Sequence, residues 1–128
     1  MNKDFTPPAE SLELKKLGFD KPCFATYDED RNFELQDFLQ TYETFPSHIV
    51  AAPTFSQAFR WFREKYQLFS WVKVKYEYGG YSCGIYITGV RQSDIANGPY
   101  NTYEEAELEC LKKLIEIVKQ NDRSTRME

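Results

Sequence analysis

The 128-residue sequence has only one histidine, three cysteines and two tryptophans, and its 16 basic residues are outnumbered by 20 acidic ones, for a net charge of −4. Each scarcity removes a class of function. With His48 alone, a metal site would need cysteines or carboxylates to complete it, and neither a C-x-x-C nor an H-x-x-x-H spacing occurs. The cysteines at 23, 83 and 110 are odd in number and widely spaced, in a chain large enough to do without disulfide staples, so a reducing cytoplasm fits. Lacking a basic excess, the molecule as a whole has no field that draws polyanions. No apolar run approaches the length that crosses a bilayer, and no basic start leads into an apolar core with a small-residue cleavage site.

What is abundant is aromatic: 10 Phe, 9 Tyr and 2 Trp can fill a core without much Leu or Val. With 41% apolar and 28% charged residues, the composition is that of a globular protein, and the length is that of one domain. Residues 1–10, with Pro7 and Pro8 adjacent, show no period and read as a mobile arm. Leu12, Leu14 and Leu17 predict a short helix from Ser11 that ends at Gly18. Alternation over Cys23–Tyr27 predicts a strand, which the acidic turn at residues 28–32 returns into Phe33–Leu35 as a hairpin. Residues 36–52 are the least legible: Phe38, Leu39 and Tyr42 fit one helical turn, and residues 48–51 fit either a short strand or a buried connection.

The signals strengthen from Pro53. Thr54 followed by Gln57 forms a capping box, and Phe55, Ala58, Phe59, Phe62 and Tyr66 share one face of a helix over residues 55–66. Trp61 falls about 120° from the middle of that stripe by helical geometry, which makes it a flank residue. Strict alternation follows, with Val72, Val74, Tyr76 and Tyr78 on one side and Trp71, Lys73, Lys75 and Glu77 on the other. Taking Gly79-Gly80 as a two-residue hairpin loop pairs Tyr78 with Tyr81, Tyr76 with Cys83, Val74 with Ile85 and Val72 with Ile87. Residues 89–101 read as a long loop. A second capping box, Thr102 with Glu105, opens a helix to about Gln120, beyond which residues 121–128 read as a frayed tail. These elements predict an α+β domain over residues 11–120: an antiparallel sheet of two hairpins, with the two main helices on one face.

The helix, hairpin, helix portion resembles the double-stranded RNA-binding domain in order. Where that family places lysines at the start of its last helix, this sequence has Tyr103, Glu104 and Glu105, which repel phosphates. A second resemblance rests on words of the sequence: Leu14 to Asp20 with Pro22 and Cys23, Ala52-Pro53-Thr54 leading into Trp61-Phe62-Arg63-Glu64, and Tyr103-Glu104-Glu105-Ala106. Together these resemble a family of small uncharacterised proteins encoded by bacteriophages and prophages of gut Bacteroidetes, over roughly residues 11–120. The resemblance implies a phage-derived, cytoplasmic origin and carries over no catalytic residue.

Candidate chemistry is sparse. A Cys–His pair drawing on Cys23, Cys83 or Cys110 stays open, because such partners meet in space. Cys83 and Cys110 nevertheless fall on apolar faces, where free cysteine behaves as a small inert hydrophobe. Gly79-Gly80 is explained by the hairpin, so no cofactor is implied. Asp28, Glu29, Asp30, Glu34 and Asp37 read as a solvated acidic turn.

Two surfaces remain. The outer face of the second hairpin carries Trp71, Lys73, Lys75 and, opposite Lys73, Tyr86, a mixture that can stack bases and meet phosphates or be covered by a partner. The helix flank carries Trp61 with Arg60 and Arg63, residue types enriched at interface hot spots. The expected function is therefore a non-enzymatic protein interaction module whose partner is another protein or a second copy. A single-stranded nucleic-acid-binding module using the hairpin face is the alternative, and no membrane partner is expected.

Overall fold

The structure, a computed structural model, describes residues 2–42, 45–74, 79–87 and 96–127. Its class is α+β, with the described strands in two antiparallel sheets instead of one. The chain divides into two compact units, Met1–Ala58 and Phe59–Glu128.

In the first unit, the segment expected as an arm is tied down. Thr6 is fully buried; its N–H donates to the carbonyl of Pro53 at 2.8 Å, and its own carbonyl accepts the Tyr27 hydroxyl at 2.8 Å. Helix α1 (Pro8–Leu17) therefore starts three residues before Ser11, with a proline at the first position, where a missing N–H breaks no helical hydrogen bond. It ends as expected at Gly18, whose φ of 99° lets Phe19 N–H reach back to the Leu14 carbonyl at 2.9 Å.

Strands β1 (Cys23–Tyr27) and β2 (Phe33–Gln40) form the expected hairpin, with Tyr27 opposite Phe33. The Asp28 carboxylate closes its turn by accepting the N–H groups of Asp30 and Asn32, both at 2.9 Å. The helical turn expected around Phe38, Leu39 and Tyr42 does not form. β2 instead continues past an irregularity and brings Gln40 opposite Cys23. Strand β3 (Val50–Ala51) pairs with the other side of β1, giving the order β2-β1-β3. Ala25, Tyr27 and Ala52 form the core of this sheet with Phe5, Phe33 and Val50.

Helix α2 (Phe55–Tyr66) has the expected limits. Its capping box closes in both directions, Thr54 N–H to Gln57 Oε1 at 2.9 Å and Gln57 N–H to Thr54 Oγ1 at 3.1 Å.

In the second unit, β4 (Leu68–Val74), β5 (Tyr81–Ile87) and β6 (Ala96–Tyr100) lie in that order, and α3 (Tyr103–Met127) packs across all three. Cys83 and Ile85 of β5 and Ala106, Cys110, Leu111 and Leu114 of α3 are fully buried. The second hairpin exists, but its register differs from the expected one by four residues. Val74 faces Tyr81, Val72 faces Cys83, Ser70 faces Ile85 and Leu68 faces Ile87. Tyr76 and Tyr78, expected opposite Cys83 and Tyr81, lie outside the described residues. Because side chains alternate with period two, an even slip keeps the same faces together, and only an odd one would expose the error.

Gly79 and Gly80 do have the positive φ values, 71° and 79°, that the turn requirement predicts. Gly80 has a second reason to be glycine: a Cβ there would sit 2.7 Å from the Tyr100 carbonyl oxygen of β6. That strand occupies part of the stretch expected to be loop. Helix α3 also runs to Met127, past the point where a frayed tail was expected.

Candidate functional site

The face of the second sheet opposite α3 is organised by the regular β4–β5 register. Phe69 lies across from Tyr86, Trp71 across from Gly84, and Lys73 across from Ser82. Tyr86 therefore faces Phe69 and not, as expected, Lys73; Lys75 lies outside the described residues. Phe69 and Tyr86 are 43% and 41% exposed, with ring centroids 6.5 Å apart. Trp71 is half-buried, its indole spread over Gly84: a Cβ at residue 84 would sit 2.3 Å from Trp71 Cζ2 and 2.5 Å from Cε2. The glycine is the floor on which the indole rests, and the strand fixes the orientation of the ring. The structure thus brings Trp71 and Tyr86 onto one surface, with exposed Lys73 at its end.

Phe69 belongs to this surface and was missed from sequence because the expected strand began too late. Its signal was present, since Phe69, Trp71 and Lys73 occupy alternate positions.

The helix-flank surface is not assembled as expected. Trp61 is a core residue, 3% exposed, with its ring edge-on to Phe62 at 5.1 Å and to Tyr66 at 5.4 Å. The indole is long enough to reach the stripe that its position on the helix misses. Lys65 Nζ caps the ring at 5.0 Å. Arg60 is exposed and donates to Glu64 Oε1 at 2.7 Å, which holds the guanidinium charged, while Arg63 is an exposed neighbour without the tryptophan beside it.

Two of the thiols, Cys23 and Cys110, are held protonated. Burial pushes Cys23 up to about 12. Cys110 is raised by its hydrogen bond with Cys83 and by burial, so neither Cys23 nor Cys110 supplies a thiolate near neutral pH.

His48 lines a cleft of about 210 Å³ in the first unit, with Leu12, Tyr27, Asp28, Arg31 and Val50 among its walls. Two of its polar groups, Asp28 and Tyr27, are committed to the fold. The Asp28 carboxyl is held below its usual range chiefly by the Asn32 N–H, and the Tyr27 hydroxyl donates to Thr6. Among the described residues no three His, Cys, Asp or Glu side chains converge in a way that could hold a metal, and no helix is long and apolar enough to cross a membrane.

At the start of α3, Glu105 accepts the N–H of Asn101 at 3.0 Å, and Thr102 Oγ1 accepts the N–H of Glu105 at 3.0 Å. This helix start is occupied by the chain's own carboxylate, where an RNA-binding domain would offer a lysine to phosphate. Comparison with protein-family models, with curated proteins and with solved structures gives no match.

Proposed function

We propose that the chain is a non-enzymatic protein interaction module that docks another polypeptide on the Phe69, Trp71 and Tyr86 face of its second sheet. One observation carries this reading: two aromatic rings, each more than 40% exposed, stand side by side on rigid strands next to an indole seated on a glycine. Aromatic side chains with few rotatable bonds lose little conformational entropy on binding, and fixed strands lower that cost further. Lys73 at the end of the row adds one cation, and the rest of the molecule contributes net negative charge.

The second reading, a single-stranded nucleic acid stacked on the same rings, is favoured by that lysine beside the aromatics. The net charge of −4 opposes it, because affinity for a phosphate backbone grows with the number of cations placed along it. On this reading the partner is to be sought in the cytoplasm of a Bacteroidetes host, the setting that the resemblance to phage-encoded proteins implies.

The test is affinity capture from infected or lysogenic cells with the wild-type chain and with F69S/Y86S. A protein retained by the wild type, lost with the double variant and bound again in a purified titration supports the module. Identical capture by both chains refutes it. Labelled oligonucleotides titrated at two salt concentrations form the second arm. Tight binding near physiological salt that Lys73→Glu abolishes would replace this reading with the nucleic-acid one.

A further inference from the structure

Among the described residues each sheet has two edges, and three of the four are bulged, short or interrupted by proline, which blocks further strand pairing. β2 is irregular in register and exposes Glu34 and Asp37. β3 is two residues long. β6 contains Pro99 and pairs with β5 through an irregularity. Charged residues, bulges, prolines and short length are the means by which proteins keep sheet edges from joining.

β4 is long, regular and free of proline, and Lys73 is the one device of this kind that it carries. Its seven residues pair with β5 in unbroken register from Leu68–Ile87 to Val74–Tyr81, it has no proline and no acidic residue, and Lys73 is its only charge. Among the described residues it is bonded to a neighbouring strand on one side only. Val74 is 49% exposed and Phe69 43%.

We propose that β4 pairs edge to edge, antiparallel, with β4 of a second copy about a two-fold axis through Trp71. This rests on the docking role of the Phe69 and Trp71 face, which the pairing extends into one continuous row across two copies. The sequence Leu68-Phe69-Ser70-Trp71-Val72-Lys73-Val74 is complementary to its own reverse. About that axis Phe69 stands opposite Lys73 of the second copy, Leu68 opposite Val74, Ser70 opposite Val72, and Trp71 opposite Trp71.

The two lysines lie at opposite ends of the junction, each beside an aromatic ring, and no like charges face each other. A two-fold interface of this kind meets the requirement that one surface complement itself. The described strands β4, β5 and β6 of the two copies then lie in one continuous sheet. Both copies of α3 then lie on one side and a doubled row of aromatic rings on the other. An unrelated peptide strand could use the same backbone groups, but only a second copy supplies an aromatic and a lysine at these matched positions.

Sedimentation equilibrium of the full chain across micromolar concentrations tests the proposal. The expected species is a reversible dimer of twice the 15.1 kDa chain mass. Phe69→Lys sets lysine against lysine at both ends and weakens association by roughly tenfold or more. F69K/K73E restores it, because each new lysine then faces a glutamate of the other copy. Within one chain those positions are about 13 Å apart along the strand and cannot pair.

Circular dichroism spectra that match the wild type and a single cooperative melt confirm that each variant folds, as expected for substitutions at exposed sites, while the melting temperature of F69K falls with loss of the dimer. A chain that is monomeric at every concentration overturns the proposal, as does a dimer indifferent to F69K or a loss that F69K/K73E does not recover. A monomeric wild type that still captures a protein through Phe69 leaves the docking face in place and removes only self-pairing. If Phe69 substitutions change neither association nor capture, both fall.

Discussion

Gly84→Ala is a one-carbon change whose effect can be worked out from the geometry. The new Cβ would stand 2.3, 2.5 and 2.9 Å from Trp71 Cζ2, Cε2 and Nε1, inside any allowed contact, so the indole must swing off the strand. A tryptophan buries on the order of 200 Å², and lifting one face of the ring re-exposes about half of it. At about 25 cal/mol per Å² that costs about 2.5 kcal/mol. Replacing glycine by alanine returns about 0.5 to 1 kcal/mol through the unfolded chain, leaving a net loss of about 1.5 to 2 kcal/mol. Urea unfolding of the wild type, G84A, W71A and G84A/W71A closes a double-mutant cycle. In the W71A background there is no ring to displace, and Gly84→Ala should be neutral or slightly stabilising. Emission from Trp71 should move to longer wavelength in G84A. If Gly84→Ala costs as much with Trp71 absent as with it present, the ring is not what the glycine accommodates.

Phe62 is fully buried, so Phe62→Ala should cost roughly 3 to 5 kcal/mol, and a loss no larger than that of Phe69→Ala at the surface would contradict the helix packing. The native chain should leave Ellman's reagent unreacted at pH 8 and yield three thiols once denatured, since all three cysteines are buried and free. Alkaline stability should fall. Unfolded thiols lose their protons near pH 8.5 while burial keeps Cys23 protonated to about 12, so the unfolded state is favoured increasingly as pH rises through that window. Tyr42, raised by burial to about 12 against the N–H of Ala51, adds to the fall above about pH 10. A urea midpoint that stays flat from pH 8 to 10.5 would contradict this.

The parts legible in the sequence are those where a local rule has one answer. Thr54 and Gln57 can cap only the helix that follows them, and Gly18 is the one residue near its helix end that takes a left-handed turn at no cost. The hairpin register was not legible, because Val72 satisfies an apolar partner equally well at Cys83 or Ile87, and Val74 at Tyr81 or Ile85. β6 was not legible because Ala-Asn-Gly-Pro-Tyr has a single strand former, Tyr100, beside three residues that strands disfavour; its place depends on the free side of β5 and on the space left at Gly80. Trp61 was misplaced because an angle on a helical wheel ignores the length of the side chain. Of the proposed surface, Trp71, Lys73 and Tyr86 were visible and Phe69 was not, a loss that follows from where the strand was taken to begin.

Thr6 has a consequence in time. Its bonds join it to Ser11, whose hydroxyl is 2.6 Å from its own, to Tyr27 and to Pro53. During synthesis Thr6 leaves the ribosome before all three of these partners, and the last of them emerges 47 residues later. Until Pro53 is out, the Thr6 N–H has only water to bond. The bond from Thr6 to Pro53 therefore closes late, and a chain stalled short of residue 53 leaves the Thr6 segment without it.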